Sequence, residues 1–340
     1  MSLPASAYMQ FDADQRICRI LNGMWQVSGA HGRIESEAAI NAMVAYHDAG
    51  FTTWDLADHY GPAEDFIGQF RQRLLSQRGA DALTNMLAFT KWVPQPGPMT
   101  EAVVTEAVDR SLRRMRVERL DMLQFHWWDY DDRRYLDALA HLDALRRAGK
   151  IHTLGLTNFD TPRLREILDS GVPIRSNQVQ YSLVDQRPGV QLARLCEERG
   201  VHLLAYGAVA GGFLSERWVG QREPETRRLE TASQQKYKEM IELWGGWPLF
   251  QELLITLYAV GQKHGASLSA VAISALMSRP AVAGVIVGAR LGVSQHLADT
   301  ARVFEFSLDA DDWERIDTVT RRANDLFALI GDTGDEYRRR

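Results

Sequence analysis

The feature that most constrains the fold of this chain is an alternation between short apolar runs and longer segments with helical spacing. Eight runs recur: Leu21–Met24, Thr52–Trp54, Leu87–Thr90, Met122–Phe125, Thr153–Leu156, Arg175–Val179, His202–Ala205 and Val285–Val287. Short apolar runs separated by helices predict parallel strands with helical crossovers. Eight such units in 340 residues favour an (α/β)8 barrel, the TIM barrel. A doubly wound open sheet is the alternative.

Several of the intervening segments carry helix boundaries. Thr100 precedes a periodic segment from Val104 to Met115, and threonine is a favoured N-cap residue. Gly149 and Gly200 follow the last periodic residues of two other segments. A glycine in that place is typical of a helix end, so the sequence predicts helices between these strands.

Two segments do not fit the repeat. Ile17–Leu21 comes before the first barrel strand, and we expect it to form a short hairpin that closes the barrel floor. Ser215–Lys236 is a long polar stretch after the seventh strand, and a loop of this length in that place is typical of a lid. We expect residues 1–340 to form a single domain, with the barrel over about 17–315 and a C-terminal tail over 316–340.

Charge and hydropathy exclude several classes of protein. The net charge is -5 at pH 7 and the basic run Arg338–Arg340 is confined to the terminus, which argues against a nucleic-acid partner. The sequence has no run of about 18 apolar residues, so we expect no membrane span. The first residues lack a basic region followed by an apolar run, so we expect no secretory signal and a cytoplasmic location.

The sequence does not predict a metal site. Cys18 and Cys196 form neither a disulfide framework nor a CxxC pair. The acidic run in 129–132 is typical of a solvated loop, because no histidine or further carboxylate motif completes a ligand set. The apolar stretch Ile241–Phe250 fits packing on the barrel or on a partner chain, so we predict no oligomeric state.

Polar side chains follow most of the predicted strands. Asp55 and then Tyr60 follow the second strand, Lys91 follows the third and His126 the fourth. The carboxyl ends of barrel strands meet at one mouth, so we expect these side chains to lie together. Other strands end at or near Trp25, Gln26, Thr157, Asn158, Gln178, Gln180, Tyr206, Gly288 and Arg290.

These four residues together have the chemistry of an activated phenol acid. An ammonium group beside a tyrosine favours the phenolate and lowers the pKa of the hydroxyl. A carboxylate keeps the lysine charged, and a histidine can orient a substrate oxygen or relay a proton. Tryptophans stand close to these strand ends, at Trp25, Trp54, Trp92, Trp127 and Trp128. An acid beside an apolar pocket suits a carbonyl compound and a hydride donor.

Each of these residues alone has a structural explanation. Asp55 could stabilise a turn, Tyr60 could pack under a loop, Lys91 could be solvated and His126 could be a hydrogen-bonded core residue. Their joint order favours one site. A lyase or aldolase that uses Lys91 as a Schiff-base amine is an alternative. A neighbouring Asp55 that keeps the lysine protonated argues against it.

The segment after the second strand resembles a motif of the aldo-keto reductase family. Asp55–Gly61, with Glu64 and Gly68, matches the family pattern Asp-x-Ala-x-x-Tyr-Gly-x-x-Glu-x-x-x-Gly. An isolated Asp-x-x-x-x-Tyr would be a weak signal.

Three further segments are similar to the same family and follow in its order. Phe89–Lys91 resembles the Thr-Lys strand end, and Asp121–Trp127 resembles Asp-x-x-x-x-His-Trp. Gly149–Phe159 resembles Gly-Lys-Ile-x-x-Ile-Gly-x-Ser-Asn-Phe. The resemblance covers the chain from about residue 23 to residue 313.

The resemblance implies a barrel that binds NADP(H) across its mouth and reduces a small-molecule aldehyde or ketone to an alcohol by hydride transfer. Tyr60 would be the general acid, Lys91 would lower its pKa, Asp55 would pair with Lys91, and His126 would orient the carbonyl. Some barrels of this family resemble channel-associated subunits, so a slow or non-enzymatic NADP(H)-sensing regulatory subunit is the alternative function.

The resemblance also implies cofactor contacts. Thr157, Asn158 and Gln178 would hold the carboxamide, and Tyr206 would stack on the nicotinamide. Gly207–Leu214 would wrap the diphosphate through backbone amides, and Arg290 would meet the 2′-phosphate. The implied set is Gly23, Met24, Trp25, Asp55, Thr157, Asn158, Gln178, Tyr206, Gly207, Ala208, Val209, Ala210, Gly212, Leu214, Gly288, Arg290, Ser294, His296, Asp299 and Thr300. The implied substrate contacts are Trp25, Trp92 and Trp127.

The chain departs from the family pattern at several of these positions. Thr157 replaces the usual serine and keeps a hydroxyl, whereas Gly207 loses one. Thr300 replaces the usual adenine-binding asparagine, and the loop from Arg290 to Asp299 is longer than usual. These departures concern the cofactor contacts and leave the four catalytic positions intact.

Overall fold

Eight parallel strands close into a barrel in the computed structural model, which describes residues 3–28, 34–229, 231–292 and 296–335. The strands are β3 (Ile20–Gly23), β4 (Thr53–Asp55), β5 (Leu87–Trp92), β6 (Leu120–His126), β7 (Ile151–Thr157), β8 (Ile174–Gln180), β9 (His202–Tyr206) and β10 (Val282–Gly288). Their order around the barrel is β10-β3-β4-β5-β6-β7-β8-β9. Every predicted apolar run overlaps one of them, so the predicted barrel is confirmed and the open sheet is excluded.

Helices connect the strands and cover the outside of the barrel. They are α1 (Ser36–Asp48), α2 (Ala63–Arg78), α3 (Glu101–Met115), α4 (Tyr135–Arg147), α5 (Thr161–Asp169), α6 (Leu192–Arg199), α7 (Ala232–Trp244), α8 (Gly246–His264), α9 (Leu268–Met277), α10 (Leu297–Arg302), α11 (Ala310–Thr320) and α12 (Leu326–Ile330). Thr100 caps α3 as predicted, since its hydroxyl accepts from the Val103 amide at 3.4 Å. Gly200 ends α6 in a left-handed conformation. Within the described ranges, none of these helices is long and apolar enough to cross a membrane.

An antiparallel hairpin closes the barrel floor, but its bounds differ from those expected. It consists of β1 (Tyr8–Asp12) and β2 (Gln15–Cys18), whereas the end of the predicted segment Ile17–Leu21 lies in the first barrel strand. The turn forms at Asp12, whose carboxylate accepts from the Ala13 amide at 2.8 Å. Phe11 and Ile17 of the hairpin pack into the apolar layer inside the barrel.

Side chains of the barrel strands alternate between the interior and the helical layer. Phe89, Met122 and Leu204 belong to the buried interior layer above the hairpin. Lys91 lies two residues beyond Phe89, and His126 lies four residues beyond Met122. The same alternation that buries the apolar layer therefore directs these two polar side chains into the mouth.

The long segment after the seventh barrel strand, Ser215–Lys236, is anchored to the helical layer over its first half. The Glu216 carboxylate accepts from the Leu268 amide at the start of α9, at 2.5 Å. Gln251 of α8 donates to the Trp218 carbonyl at 2.9 Å. Helix α7 begins within the segment. These contacts argue against a lid that opens along its whole length.

The apolar stretch Ile241–Phe250 packs on its own chain. Ile241, Trp244 and Phe250 are almost completely buried. They belong to an apolar cluster that residues of α8 and α9 share. Of the two placements that the sequence left open, packing within the chain is the one observed.

A buried ionic cluster ties the C-terminal segment to the barrel. The Arg187 and Asp185 side chains are each 1% exposed and pair at 2.7 Å. Arg187 also donates to the Asp332 carbonyl at 3.2 Å. The Asp332 carboxylate accepts from the Thr161 amide at 2.8 Å, at the start of α5. The tail beyond α12 is thereby held beside the end of β7.

Two residues of the sequence motif after β4 join secondary-structure elements. Glu64 of α2 is 1% exposed and accepts from the Thr90 hydroxyl at 2.7 Å and from Arg114 at 3.2 Å. A β-carbon at Gly68 would overlap the carbonyl oxygen of Arg114 and lie 3.0 Å from Cγ of Arg116. The missing side chain lets α2 lie against the end of α3.

We expect Gly68→Ala to lower the free energy of unfolding by about 1–3 kcal/mol, the usual cost of overpacking a buried site. The higher helix propensity of alanine, about 1 kcal/mol, opposes this loss but does not remove an overlap with backbone. Urea unfolding followed by circular dichroism measures the change. Gln77→Ala, at an exposed position of the same helix, should change stability by less than about 0.5 kcal/mol. A Gly68→Ala variant as stable as the wild type would contradict this packing.

Candidate active site

The structure brings Asp55, Lys91 and His126 to the same end of the barrel. Asp55 is the last residue of β4, Lys91 is the next to last of β5, and His126 ends β6. These three strands are neighbours that pair in parallel. The three side chains are at most 5% exposed, so the predicted group converges in a buried mouth.

Lys91 and Asp55 form a buried ion pair at the centre of this group. Nζ of Lys91 lies 2.8 and 2.7 Å from the two carboxylate oxygens of Asp55. It also donates to the Leu56 carbonyl at 2.9 Å. Three acceptors around one nitrogen match the three N–H groups of an ammonium ion. This arrangement fits the protonated form, in which the nitrogen has no lone pair to act as a nucleophile.

Burial and charge act on Lys91 in opposite directions. Burial lowers the pKa of Lys91, and the charge and hydrogen bonds of Asp55 act to raise it. The Asp58 carboxylate acts in the same direction as Asp55. Desolvation disfavours the charged form of any amine, so the ammonium depends on these carboxylates.

Two glutamine side chains complete the shell around Asp55. Gln124 donates to Oδ1 of Asp55 at 3.0 Å, and Gln178 donates to the same oxygen at 2.6 Å. Gln178 also donates to the Gln124 side-chain carbonyl at 2.7 Å. Sequence reasoning missed Gln124. Its position two residues before His126 on the same strand was the signal, because the two side chains share a strand face.

Tyr60 lies in the loop after β4, beside the ion pair. Nζ of Lys91 is 5.1 Å from the centroid of the Tyr60 ring. The loop is held by the Asp58 amide, which donates to the Lys91 carbonyl at 2.9 Å, and by the Tyr60 amide, which donates to Ala57 at 3.1 Å. A positive charge at this distance stabilises the phenolate that remains after Tyr60 gives up its proton.

Trp25 and His59 border Tyr60. The Trp25 ring meets the Tyr60 ring edge-to-face at 5.0 Å, and the indole is 42% exposed. His59 packs against Tyr60 at 4.8 Å and pairs with Asp58 at 3.0 Å. The position of Trp25 fits its predicted contact with substrate. His59 and Asp58 lie on the rim of the mouth.

The other predicted substrate contacts, Trp92 and Trp127, are buried at 4% exposure and pack against Phe125. Each directly follows an inward-facing residue, Lys91 or His126, so alternation along the strand turns it towards the helical layer. Trp128 instead lies 4.2 Å from the His126 ring and is 45% exposed. The exposed aromatic beside His126 is therefore Trp128, which the sequence reasoning did not select.

The predicted carboxamide site lies next to this group. Thr157 pairs with His126 on one side and with Gln178 on the other. Its hydroxyl is buried, and within the described residues it has no hydrogen-bond partner. Asn158 has a left-handed backbone, and its side-chain oxygen accepts from the Tyr206 hydroxyl at 3.0 Å. A buried hydroxyl that still requires a partner fits a polar ligand group at this position.

The predicted diphosphate segment, Gly207–Leu214, follows β9 and turns back on itself. The Ala210 amide donates to the Gly207 carbonyl, and the Gly212 and Leu214 amides both donate to Val209. These three amides donate within the segment, and their contacts with the diphosphate stay a prediction. Ala208 and Val209 belong to the same turn, and their amides remain in the prediction.

The remaining predicted contacts lie at the ends of β3 and β10. Gly23 ends β3, and the Met24 amide donates to the Asp55 carbonyl at 2.9 Å, so Met24 supports β4. Gly288 ends β10, and Arg290 is exposed two residues later.

The predicted adenine-side contacts are arranged around α10. The Asp299 carboxylate accepts from the Ser267 hydroxyl at 2.9 Å and so joins α10 to α9. The Thr300 amide donates to the His296 carbonyl at 2.8 Å. Ser294 lies outside the described residues.

The family model that matches this chain is that of the aldo/keto reductase family, over residues 19–321. The chain belongs to the aldo/keto reductase family. The resemblance of the four sequence segments is thereby confirmed.

Relatives within this family carry different names. Flagellar radial spoke protein 5 of Chlamydomonas reinhardtii is 27% identical in an alignment of 257 positions that covers 64% of this chain and 48% of that protein. Chloroplastic pyridoxal reductase of Arabidopsis thaliana is 24% identical over 66% of this chain and 62% of that protein. L-glyceraldehyde 3-phosphate reductase of Escherichia coli O157:H7 is 26% identical over 78% of this chain and 79% of that protein. The chain thus spans about half of the first relative and less than two thirds of the second.

Solved structures of the family share the fold. A glycerol dehydrogenase from Gluconobacter oxydans has a TM-score of 0.79 at 21% identity and covers 95% of this chain and 98% of its own. An aldo/keto reductase from Klebsiella pneumoniae, in complex with NADP and acetate, has a TM-score of 0.68 at 19% identity, with 92% and 95% covered. At these sequence identities the similarity to the solved structures shows the fold alone.

We expect Asp55→Asn to lower the free energy of unfolding by about 3–5 kcal/mol at pH 7, because it leaves the buried Lys91 charge uncompensated. The double variant Asp55→Asn, Lys91→Met removes both charges and should be more stable than Asp55→Asn alone. Urea unfolding of the wild type, both single variants and the double variant measures the coupling. Additive losses in the double variant would show that the two charges do not stabilise each other.

Proposed function

We propose that this member of the aldo/keto reductase family is an NADP(H)-dependent oxidoreductase that reduces aldehydes or ketones to alcohols, with Tyr60 as general acid. The observation that carries the proposal is the buried ammonium of Lys91, held by Asp55 and placed 5.1 Å from the Tyr60 ring. This arrangement supports proton donation to an oxygen at the mouth. In this proposal His126, which lies beside Thr157 at the end of the next strand, orients that oxygen.

The residues at the mouth divide the reduction between them. Bound NADPH supplies the hydride that the carbonyl carbon accepts. Tyr60 donates its hydroxyl proton to the carbonyl oxygen, and the Lys91 ammonium stabilises the phenolate left behind. The alcohol then carries both added hydrogens, and Tyr60 regains a proton from solvent. The aromatic rings of Trp25 and Trp128 border the open side, where an apolar part of the substrate would lie.

The observations around Thr157 support a nicotinamide cofactor. Its buried hydroxyl has no partner within the described residues, and Asn158 and Gln178 lie next to it. In this proposal these residues hold the carboxamide, and Tyr206 faces the nicotinamide ring. Arg290, exposed just beyond β10, would bind the 2′-phosphate of NADP(H).

The names of relatives support a carbonyl substrate. One is a pyridoxal reductase, one a reductase of L-glyceraldehyde 3-phosphate, and one an NADH-specific methylglyoxal reductase of Escherichia coli. The last of these is named for NADH, so the choice of NADP in this chain depends on its own residues, above all Arg290. Consumption of NADPH and NADH with a panel of aldehydes, ketones and sugars would identify the substrate class.

The geometry opposes the lyase or aldolase alternative. A Schiff base requires a neutral amine, but Nζ of Lys91 donates to three acceptors, both carboxylate oxygens of Asp55 among them. The cofactor-sensing alternative is a non-catalytic function, and one relative is named as a flagellar radial spoke protein, without a reductase activity in its name. Stopped-flow hydride transfer to a reactive aldehyde separates the two functions, and a bound cofactor that no carbonyl oxidises would favour the sensing subunit.

We expect Tyr60→Phe to retain NADPH affinity and to lose turnover by about 10²–10⁴-fold, the usual contribution of a positioned general acid. The variant keeps the ring beside Lys91 and removes the proton. Fluorescence titration measures binding, and NADPH oxidation with an aldehyde measures turnover. A Tyr60→Phe variant with the turnover of the wild type would show that another group donates the proton.

We expect Arg290→Ala to weaken NADPH binding by about 10–100-fold, the value of a charge-assisted contact with phosphate. NADH lacks the 2′-phosphate, so its affinity should change little. Dissociation constants for both cofactors test this difference. Arg290→Lys, which keeps the charge without the planar fork, should lie between the two. Equal weakening of both cofactors would remove the 2′-phosphate assignment.

A further inference from the structure

Helix α7 lies directly against the predicted diphosphate segment. The hydroxyl of Tyr237, in the second turn of α7, occupies the place where a β-carbon of residue 207 would lie. The Tyr237 ring lies 2.7 Å from the place of a β-carbon at Gly211. Both glycines have positive φ angles, so glycine is required there for backbone conformation and for space. The Tyr237 side chain is 9% exposed, and its packing fixes α7 relative to this segment.

Lys236, the residue before Tyr237, directs a positive charge towards the start of the predicted diphosphate segment. Nζ of Lys236 lies 5.2 Å from the centroid of the Tyr206 ring and 5.4 Å from the centroid of the Tyr237 ring. Tyr206 ends β9 and is the residue expected to face the nicotinamide. Lys236 therefore lies above the junction between the nicotinamide site and the segment that begins at Gly207.

This segment has few groups of its own to offer a diphosphate. The amides of Ala210, Gly212 and Leu214 donate within it. Position 207 is glycine and brings no hydroxyl. A diphosphate carries negative charge that a few neutral amides satisfy only in part, and an ammonium group is a suitable further partner. Helix α7 brings such a group to the position where it is needed.

We propose that Lys236 is a cofactor-binding residue whose ammonium pairs with the diphosphate of bound NADP(H). The inference rests on the proposed function, because it requires that the cofactor lies across this mouth. Tyr237 is the residue that positions α7, through its contacts with Gly207 and Gly211. The assignment makes α7 part of the cofactor site, in addition to the strand ends.

The test is the dissociation constant of NADPH, measured by fluorescence titration with the full chain. Lys236→Met keeps a long side chain and removes the charge, and we expect an increase in Kd of about tenfold or more. Lys236→Arg restores the charge and should recover most of the affinity. Raising the ionic strength should weaken binding to the wild type more than binding to Lys236→Met, because salt screens the lost interaction.

Arg217→Met is the matched control, since Arg217 stacks on Trp218 in the segment that leads to α7. This variant also loses one exposed cation, and its Kd for NADPH should stay within about twofold of the wild type. Equal weakening in both variants would indicate a general loss of positive charge and would overturn the assignment. Thermal unfolding confirms that both variants keep the stability of the wild type.

A second ligand shows whether Lys236 acts on the diphosphate or on the nicotinamide of the cofactor. The ligand ADP-ribose 2′-phosphate contains the diphosphate of NADPH but lacks the nicotinamide. Lys236→Met should therefore weaken binding of this ligand as much as binding of NADPH. If only NADPH binding weakens, Lys236 acts through the ring face of Tyr206 and the assignment is wrong. A wild-type chain that binds neither NADPH nor NADH overturns the proposed function, whereas unchanged binding in Lys236→Met overturns this inference alone.

Discussion

The buried pair of Lys91 and Asp55 sets the conditions that the rest of the barrel mouth must meet. Removing two charges from water costs several kcal/mol for each ion, so the pair persists only where the remaining donors and acceptors are satisfied. Gln124 and Gln178 satisfy the carboxylate with neutral amides, which add no second cation to compete with Lys91. The ammonium position is thereby defined from four strands, β4, β5, β6 and β8, and Tyr60 lies next to it.

Much of the barrel, and of the group formed by Asp55, Tyr60, Lys91 and His126, could be predicted from local sequence patterns. Apolar runs predict buried strands. A polar residue that directly follows such a run, such as Asp55, is predicted to lie at the mouth of the barrel. The finer choice between neighbours depends on which face each residue occupies, and an error of one residue exchanges the faces. Trp127 was selected as a pocket residue, but alternation places Trp128 on the side of His126. Gln124 shares that side and went unnoticed because apolar residues flank it.

Contacts between distant parts of the chain account for the other differences. The polar composition of Ser215–Lys236 is typical of a solvated loop, yet Glu216 is held by the first turn of a helix that comes much later in the sequence. The hairpin bounds depended on a turn at Asp12, which a short sequence window does not distinguish from other polar pairs. Local composition indicates solvent exposure and turn preference. It does not indicate which residues from distant parts of the sequence will contact the segment.

The close approach of Tyr237 to Gly207 has a consequence for how this branch of the family could diverge. The two positions compete for one small volume, because a side chain at 207 would overlap the tyrosine hydroxyl. A hydroxyl can therefore reach this point from the strand end or from α7, but not from both at once. Relatives that keep serine at the first position should carry a smaller residue at the second. The two substitutions should appear together in evolution, since either one alone leaves a clash or a gap.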